Sequence, residues 1–198
     1  WPSIDPISAI GLREVFTQVF IGILMGLILQ VVNAALVVGG QAISASMGLG
    51  MANMVDPNMG NVPVISQFLI ICSTLIFLGL GGHVLVITLL LETFNLLPIG
   101  EMINIQPLIA LVIEWSSMIF LGAVLIGLPI MVSLLFINIG LGVITRAAPA
   151  LNIFAVGFPA MILAGIILLS MSMSSIGFRI QWLWRQAFDI VTQAMGAS

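Results

Sequence analysis

Charge is scarce in this 198-residue sequence: four basic residues, all arginine, and seven acidic ones, together 6%. A soluble domain carries roughly 25% charged residues to keep its surface wet, so a water-soluble globule is excluded. With a net charge of −3 and no lysine, the chain has no basic patch to neutralise phosphates, which excludes an electrostatic nucleic-acid binder. A single cysteine, Cys72, excludes a disulfide framework and a thiolate metal cage. What remains is apolar sequence, 61% of the residues. The chain is an integral membrane protein or part of a hydrophobic assembly.

The few charges divide it cleanly. None occurs between Glu14 and Asp56, Asp56 and Glu92, Glu114 and Arg146, or Arg146 and Arg179. Each gap exceeds the ~20 residues that cross a bilayer core. Alternation of period two is absent, so helices satisfy the backbone and the fold class is all-α. A first helix is predicted from an N-cap at Ser8 to about Met47. At ~58 Å it is too long for a simple span, so it kinks, at Gly39-Gly40, or extends outside lipid. Apolar sequence resumes at Val64 and runs to Leu97, with a break at Gly81 and Gly82 and another at Pro98. A third helix is predicted over 106–144 with a break at Pro129, and a fourth over 152–176 with a break at Pro159. Residues 178–194 read as a separate interfacial helix. Arg146 and Arg179 stand at opposite ends of one apparent span, which conflicts with the positive-inside rule. A re-entrant or bent segment removes the conflict, and so does a location within a protein assembly.

In the first helix, Gln18, Gly22, Gly26, Gln30, Asn33, Gly40, Gln41 and Ser44 fall within an arc of roughly 140° at 100° per residue. Such a stripe serves helix–helix packing, through Gly22-x-x-x-Gly26, or it forms the wall of an aqueous path. Catalytic chemistry has little to work with. His83 and Glu92 fall on opposite helix faces, which gives no local acid/base pair. His83, Cys72 and the scattered carboxylates lack metal-ligand spacing. No enzyme, metal or cofactor is expected. A small secondary transporter or channel is the rival reading, but it needs a titratable residue inside a span. Glu92 and Glu114, the only candidates, lie near segment ends.

The stretch from Met47 to Gly60 holds four methionines among glycines and an Asp-Pro. Methionine fills gaps of changing shape, so these residues either pack on neighbouring helices or seal an apolar constriction. Five motifs then run in order: Ser46-Met47-Gly48-Leu49 through Val55-Asp56-Pro57, Gly82-His83, Phe94-x-x-Leu97-Pro98-Ile99-Gly100, Arg146-x-x-Pro149-x-Leu151-Asn152, and Gly157-Phe158-Pro159.

Across the whole chain this pattern resembles the FliR family of the bacterial flagellar export gate, which has a relative in virulence type III secretion gates. The resemblance implies one domain over 1–198, built of long kinked helical hairpins as a FliP-like and a FliQ-like unit fused. It implies FliP and FliQ as partners in a hetero-oligomeric gate, FlhB at the entrance, unfolded flagellar proteins as export substrates, and contact with membrane lipid. The implied location is the bacterial inner membrane, in the flagellar basal body. Much of such a complex stands above the membrane plane. The loop equivalent to 48–63 plugs the closed channel, which assigns that role to Met47, Leu49, Met51, Met54, Val55, Asp56, Pro57 and Met59. Family members begin with further hydrophobic segments, which the start at Trp1 leads us to expect upstream.

Overall fold

The computed structural model describes residues 8–49, 64–96, 105–147 and 153–196. The described residues are helical, with no strand among them, in six elements: α1 (Ala9–Ser46), α2 (Val64–Gly79), α3 (Gly82–Leu96), α4 (Gln106–Ser116), α5 (Met118–Ala147) and α6 (Ile153–Ala194). Ser8 caps α1, its Oγ accepting from Gly11 N at 3.0 Å, which satisfies one of the first-turn donors. At the other end Gly48 takes a φ of +79°, a left-handed stop that a side chain would resist. Between them α1 is unbroken through Gly39 and Gly40.

Several boundaries correct the sequence reading. The third helix is two, α4 and α5, interrupted at Ser117. There the Ser117 N and Oγ both turn back to the Glu114 carbonyl, at 3.2 and 2.8 Å. A serine hydroxyl competing with the backbone in this way loosens the local helix. Pro129 and Pro159 are not breaks, since α5 and α6 run on through them. A proline removes one hydrogen bond, but in apolar surroundings the others have no water to exchange with, so the helix persists. Nor do residues 178–194 form a separate helix: α6 is one rod of 42 residues. Its buried stripe Ile176, Ile180, Leu183, Trp184, Ala187 and Val191 continues at helical spacing past Arg179. Between α2 and α3 the chain bends by 65° at Gly81, whose φ is +72°. Pro98 lies outside the described residues.

Contacts fix the register. Trp115 Nε1 donates to the Ile28 carbonyl at 2.9 Å, Gly122 faces Ala35, and Gly127 faces Gly39 and Ile43, so α4 and α5 run parallel to α1. Met47 packs on Gly165 and Leu183 on Gly122, which makes α6 antiparallel to both. Ser66 meets α1 at Val37 and Gly40 while Leu89 borders a groove with Met25, so α2 and α3 also descend antiparallel to α1. The result is an up-down-up-down bundle centred on α1.

Its seams follow from the medium. Lipid tails are as apolar as leucine, so helices associate there through close packing and hydrogen bonds rather than through the hydrophobic effect. Small residues accordingly sit where rods touch: a Cβ at Gly39 would lie 3.2 Å from the Ala123 carbonyl oxygen, and one at Gly122 would lie 3.0 Å from Ala35 Cβ. Polar ties reinforce the contacts. Ser66 Oγ donates to the Val37 carbonyl at 2.9 Å. Trp184 Nε1 donates to Ser73 Oγ at 2.9 Å beside Phe77 and Phe188.

Candidate functional site

Three helices, Ala9–Ser46, Gln106–Ala147 across its interruption, and Val156–Ala194, are long and apolar enough to cross a membrane, and the bent α2–α3 pair makes a fourth if taken as one span. Charge is not spread evenly along this bundle. By the register above, Arg13, Glu14, Glu92, Glu114, Arg185 and Asp189 all fall on the side of Arg179 that holds the start of α1, and Arg179 itself is level with about Gly39. Arg146 alone among the described charges marks the far end. Between the levels of Arg179 and Arg146, α5 from Leu125 to Thr145 offers about 21 uncharged residues, or ~31 Å. That matches a hydrocarbon core of ~30 Å. One part of the bundle is thus uncharged over a length that suits a hydrocarbon core, while the other is also apolar on its outside but carries charge.

The polar stripe of α1 divides in two. Gly40 is buried, and a Cβ there would fall 2.5 Å from Ser66 Cα, so this part of the stripe is a packing seam. Gly22 and Gly26 have open space beyond their Cα atoms and line a groove walled by Leu89 and Leu90 of α3 and Phe188 and Val191 of α6, so Gly22-x-x-x-Gly26 makes no close helix contact there. Gln30 and Gln41 are exposed, and Asn33, half-buried, donates to Gln30 Oε1 at 3.4 Å. Gln18 is half-buried with its Nε2 buried and unpaired among the described residues. Large apolar side chains flank this strip, including Phe16 at 68% and Ile23 at 52% exposure.

Of the loop residues assigned to a plug, Met47 and Leu49 lie within the described region. Met47 is 1% exposed and fills the space over Gly165, where a Cβ would meet its Cε at 2.4 Å. Leu49 packs on the core. Met47 is thus enclosed by the helix packing, whereas Leu49 is half-buried beside it. Met51, Met54, Val55, Asp56, Pro57 and Met59 lie outside the described residues. His83 and Glu92 are exposed nine positions apart on α3 and Glu114 is exposed on α4. Among the described residues no three His, Cys, Asp or Glu side chains gather to hold a metal.

One arrangement escaped the sequence reading. Pro129 has no N–H, so the carbonyl four residues earlier, that of Leu125, loses its helical partner. Arg179 Nη1 donates to that carbonyl from α6, and its Nε reaches Ser175 Oγ at 3.5 Å. The proline signals an orphaned acceptor at Leu125, but nothing local says which residue will arrive. Arg179→Leu should cost about 1–3 kcal/mol, as an acceptor left unsatisfied does. In a Pro129→Ala background, which restores the N–H, it should cost about 1 kcal/mol less. Unfolding midpoints of the four proteins in mixed micelles measure the coupling, and equal costs in both backgrounds would refute the shared carbonyl.

The family model described as bacterial export proteins, family 1, matches residues 2–187. The flagellar biosynthetic protein FliR of Escherichia coli K12 is 37% identical over 176 residues, 88% of this chain and 67% of that protein. Its counterpart in Pectobacterium carotovorum is 34% identical over 189 residues, 95% of this chain and 72% of the relative. That of Buchnera aphidicola from Baizongia pistaciae is 35% identical over 164 residues, covering 82% and 63%.

Proposed function

Since the chain belongs to family 1 of the bacterial export proteins, we propose that it is a structural component of the flagellar protein-export apparatus, a wall subunit of its pore that performs no catalysis. The observation that carries this reading is the strip of glycines and amides on α1, where Gln30 and Gln41 are exposed and Gly22 and Gly26 line a groove that α3 and α6 flank without filling. Uncharged amides hold water without fixing ions, as a path for an extended polypeptide requires, and the flanking apolar surface suits neighbouring subunits. FliP-like and FliQ-like subunits are the partners, within which this chain acts as a fused counterpart of both, and an FlhB-like protein sits at the entrance. The charge-free half lies in the inner membrane of the flagellar basal body, and the charged half is clad by those partners. Residues 50–63 obstruct the closed lumen.

Native mass measurement of the purified chain with whatever accompanies it tests this. A gate subunit comes out with several different small hydrophobic proteins, whereas a carrier comes out alone or with copies of itself. Kinetics separate the readings again. Glu92→Gln and Glu114→Gln should leave flagellin secretion within about twofold of the parent, since both side chains are exposed near helix ends and a structural wall titrates nothing. A proton-coupled carrier needs an ionisable group within its span. Loss of export in either variant at normal protein levels favours the carrier.

A further inference from the structure

Arg179 presents more donors than the bundle uses. A guanidinium has five N–H groups, and only the Leu125 carbonyl and the long contact to Ser175 engage them. No carboxylate lies within ion-pair distance among the described residues. Beside it an open cavity of about 600 Å³ is lined by Leu125, Ser174, Ser175, Phe178, Arg179 and Trp182. Two hydroxyls and a cation thus share one recess whose remaining lining is apolar.

Its height in the bundle identifies the visitor. Arg179 is the first charge after the uncharged run of α6 that begins at Val156, about 23 residues or ~35 Å long, and so marks one edge of the lipid-length half. Trp182, one turn further, is 39% exposed, and indoles concentrate at that depth of a bilayer. From the recess towards the hydrocarbon side run exposed Leu128, Val132 and Leu135 on α5 and Met171 and Ile167 on α6, a track for acyl chains. We infer that this recess holds the phosphate of an anionic phospholipid. The guanidinium and the Ser174 and Ser175 hydroxyls meet the phosphate oxygens, and the acyl chains lie along the α5–α6 surface. The Leu125 carbonyl pre-orients the guanidinium, so the proline that frees this carbonyl also prepares the site.

The inference goes beyond the pore reading and is tested on the complete assembly containing this chain, whose subunit composition in the same spectra checks the pore reading separately. Native mass spectrometry after incubation with phosphatidylglycerol, phosphatidylcholine or inorganic phosphate reads retained lipid. Phosphatidylglycerol should be retained over phosphatidylcholine. Arg179→Gln should weaken that retention about fivefold, the loss expected for one basic residue at a membrane surface. Ser174→Asp, an exposed position, keeps the arginine but sets a carboxylate against the phosphate and should weaken retention likewise. Equal retention of the two lipids, or unchanged retention in both variants, overturns the site. Inorganic phosphate displacing the lipid at equal concentration makes it a free-anion site and overturns it too. So does protection of Arg179 from phenylglyoxal in the lipid-free assembly, because a neighbouring protein then covers the recess.

Discussion

Gly40→Ala should destabilise the bundle by about 3 kcal/mol, the upper part of the range for overpacking, and sharply reduce the amount of assembled complex. A Cβ at this position would stand 2.5 Å from Ser66 Cα, 2.6 Å from its Oγ and 2.7 Å from its N. Two of these three atoms are backbone, so no rotamer change relieves the clash and α2 must retreat as a body. That retreat also breaks the 2.9 Å bond from Ser66 Oγ to the Val37 carbonyl. The alanine gains about 1 kcal/mol of helix propensity over glycine, less than the clash costs. Gly22→Ala and Gly26→Ala provide the contrast, because nothing lies within 4 Å of a Cβ at either. Within the isolated chain both should stabilise α1 by about 1 kcal/mol each. If export falls in these two variants while thermal midpoints rise, the strip faces something outside the chain. A stable, normally assembled Gly40→Ala protein would refute the seam.

Removing residues 51–59 should make the resting assembly conduct small ions while the subunit is still incorporated. A single α-helix with its side chains is 10–12 Å across, so a conduit for protein is far wider than a hydrated ion and stays silent only if something fills it. Methionine-rich sequence suits that task, since an apolar constriction excludes ions by dewetting and a flexible thioether adapts as the gap changes. Because Met47 is anchored on Gly165 and Ser66 on α1, the deletion leaves both flanking contacts in place. Single-channel recording in planar bilayers reads the result as a rise of at least tenfold in the fraction of time spent conducting. Background conductance in an intact complex would remove the obstructing role from this stretch.

The all-α class and the length of the first rod, α1, were legible in the sequence because they rest on one robust quantity, the distance between charges compared with the thickness of hydrocarbon. The N-cap at Ser8 was legible for a similar reason, being a local pattern with a local partner. Interruptions were harder. Ser117 stops a helix through two hydrogen bonds to one carbonyl, an effect no larger than the propensity differences around it. Arg179 reads as the end of a span because an arginine in apolar sequence needs water or a partner, and its partner, Leu125, sits on another helix. Glycines mislead in a further way. Their spacing tells where two backbones are allowed to approach, so Gly22 and Gly26 look as suited to a seam as Gly39 and Gly40. Which pair is used depends on where Ser66 and Ala123 arrive, and that is decided by the fold as a whole.

Met47 pinned over Gly165 and Ser66 pinned against Gly40 and Val37 set the roots of the intervening stretch on firm ground near the C-terminal end of α1. A segment whose two roots already stand together adds little entropy cost when it grows: doubling its length raises the closure term by only about 0.6 kcal/mol. The stability of the rods therefore sets little limit on the length of that stretch, and what constrains its methionines is the task of obstruction proposed for it.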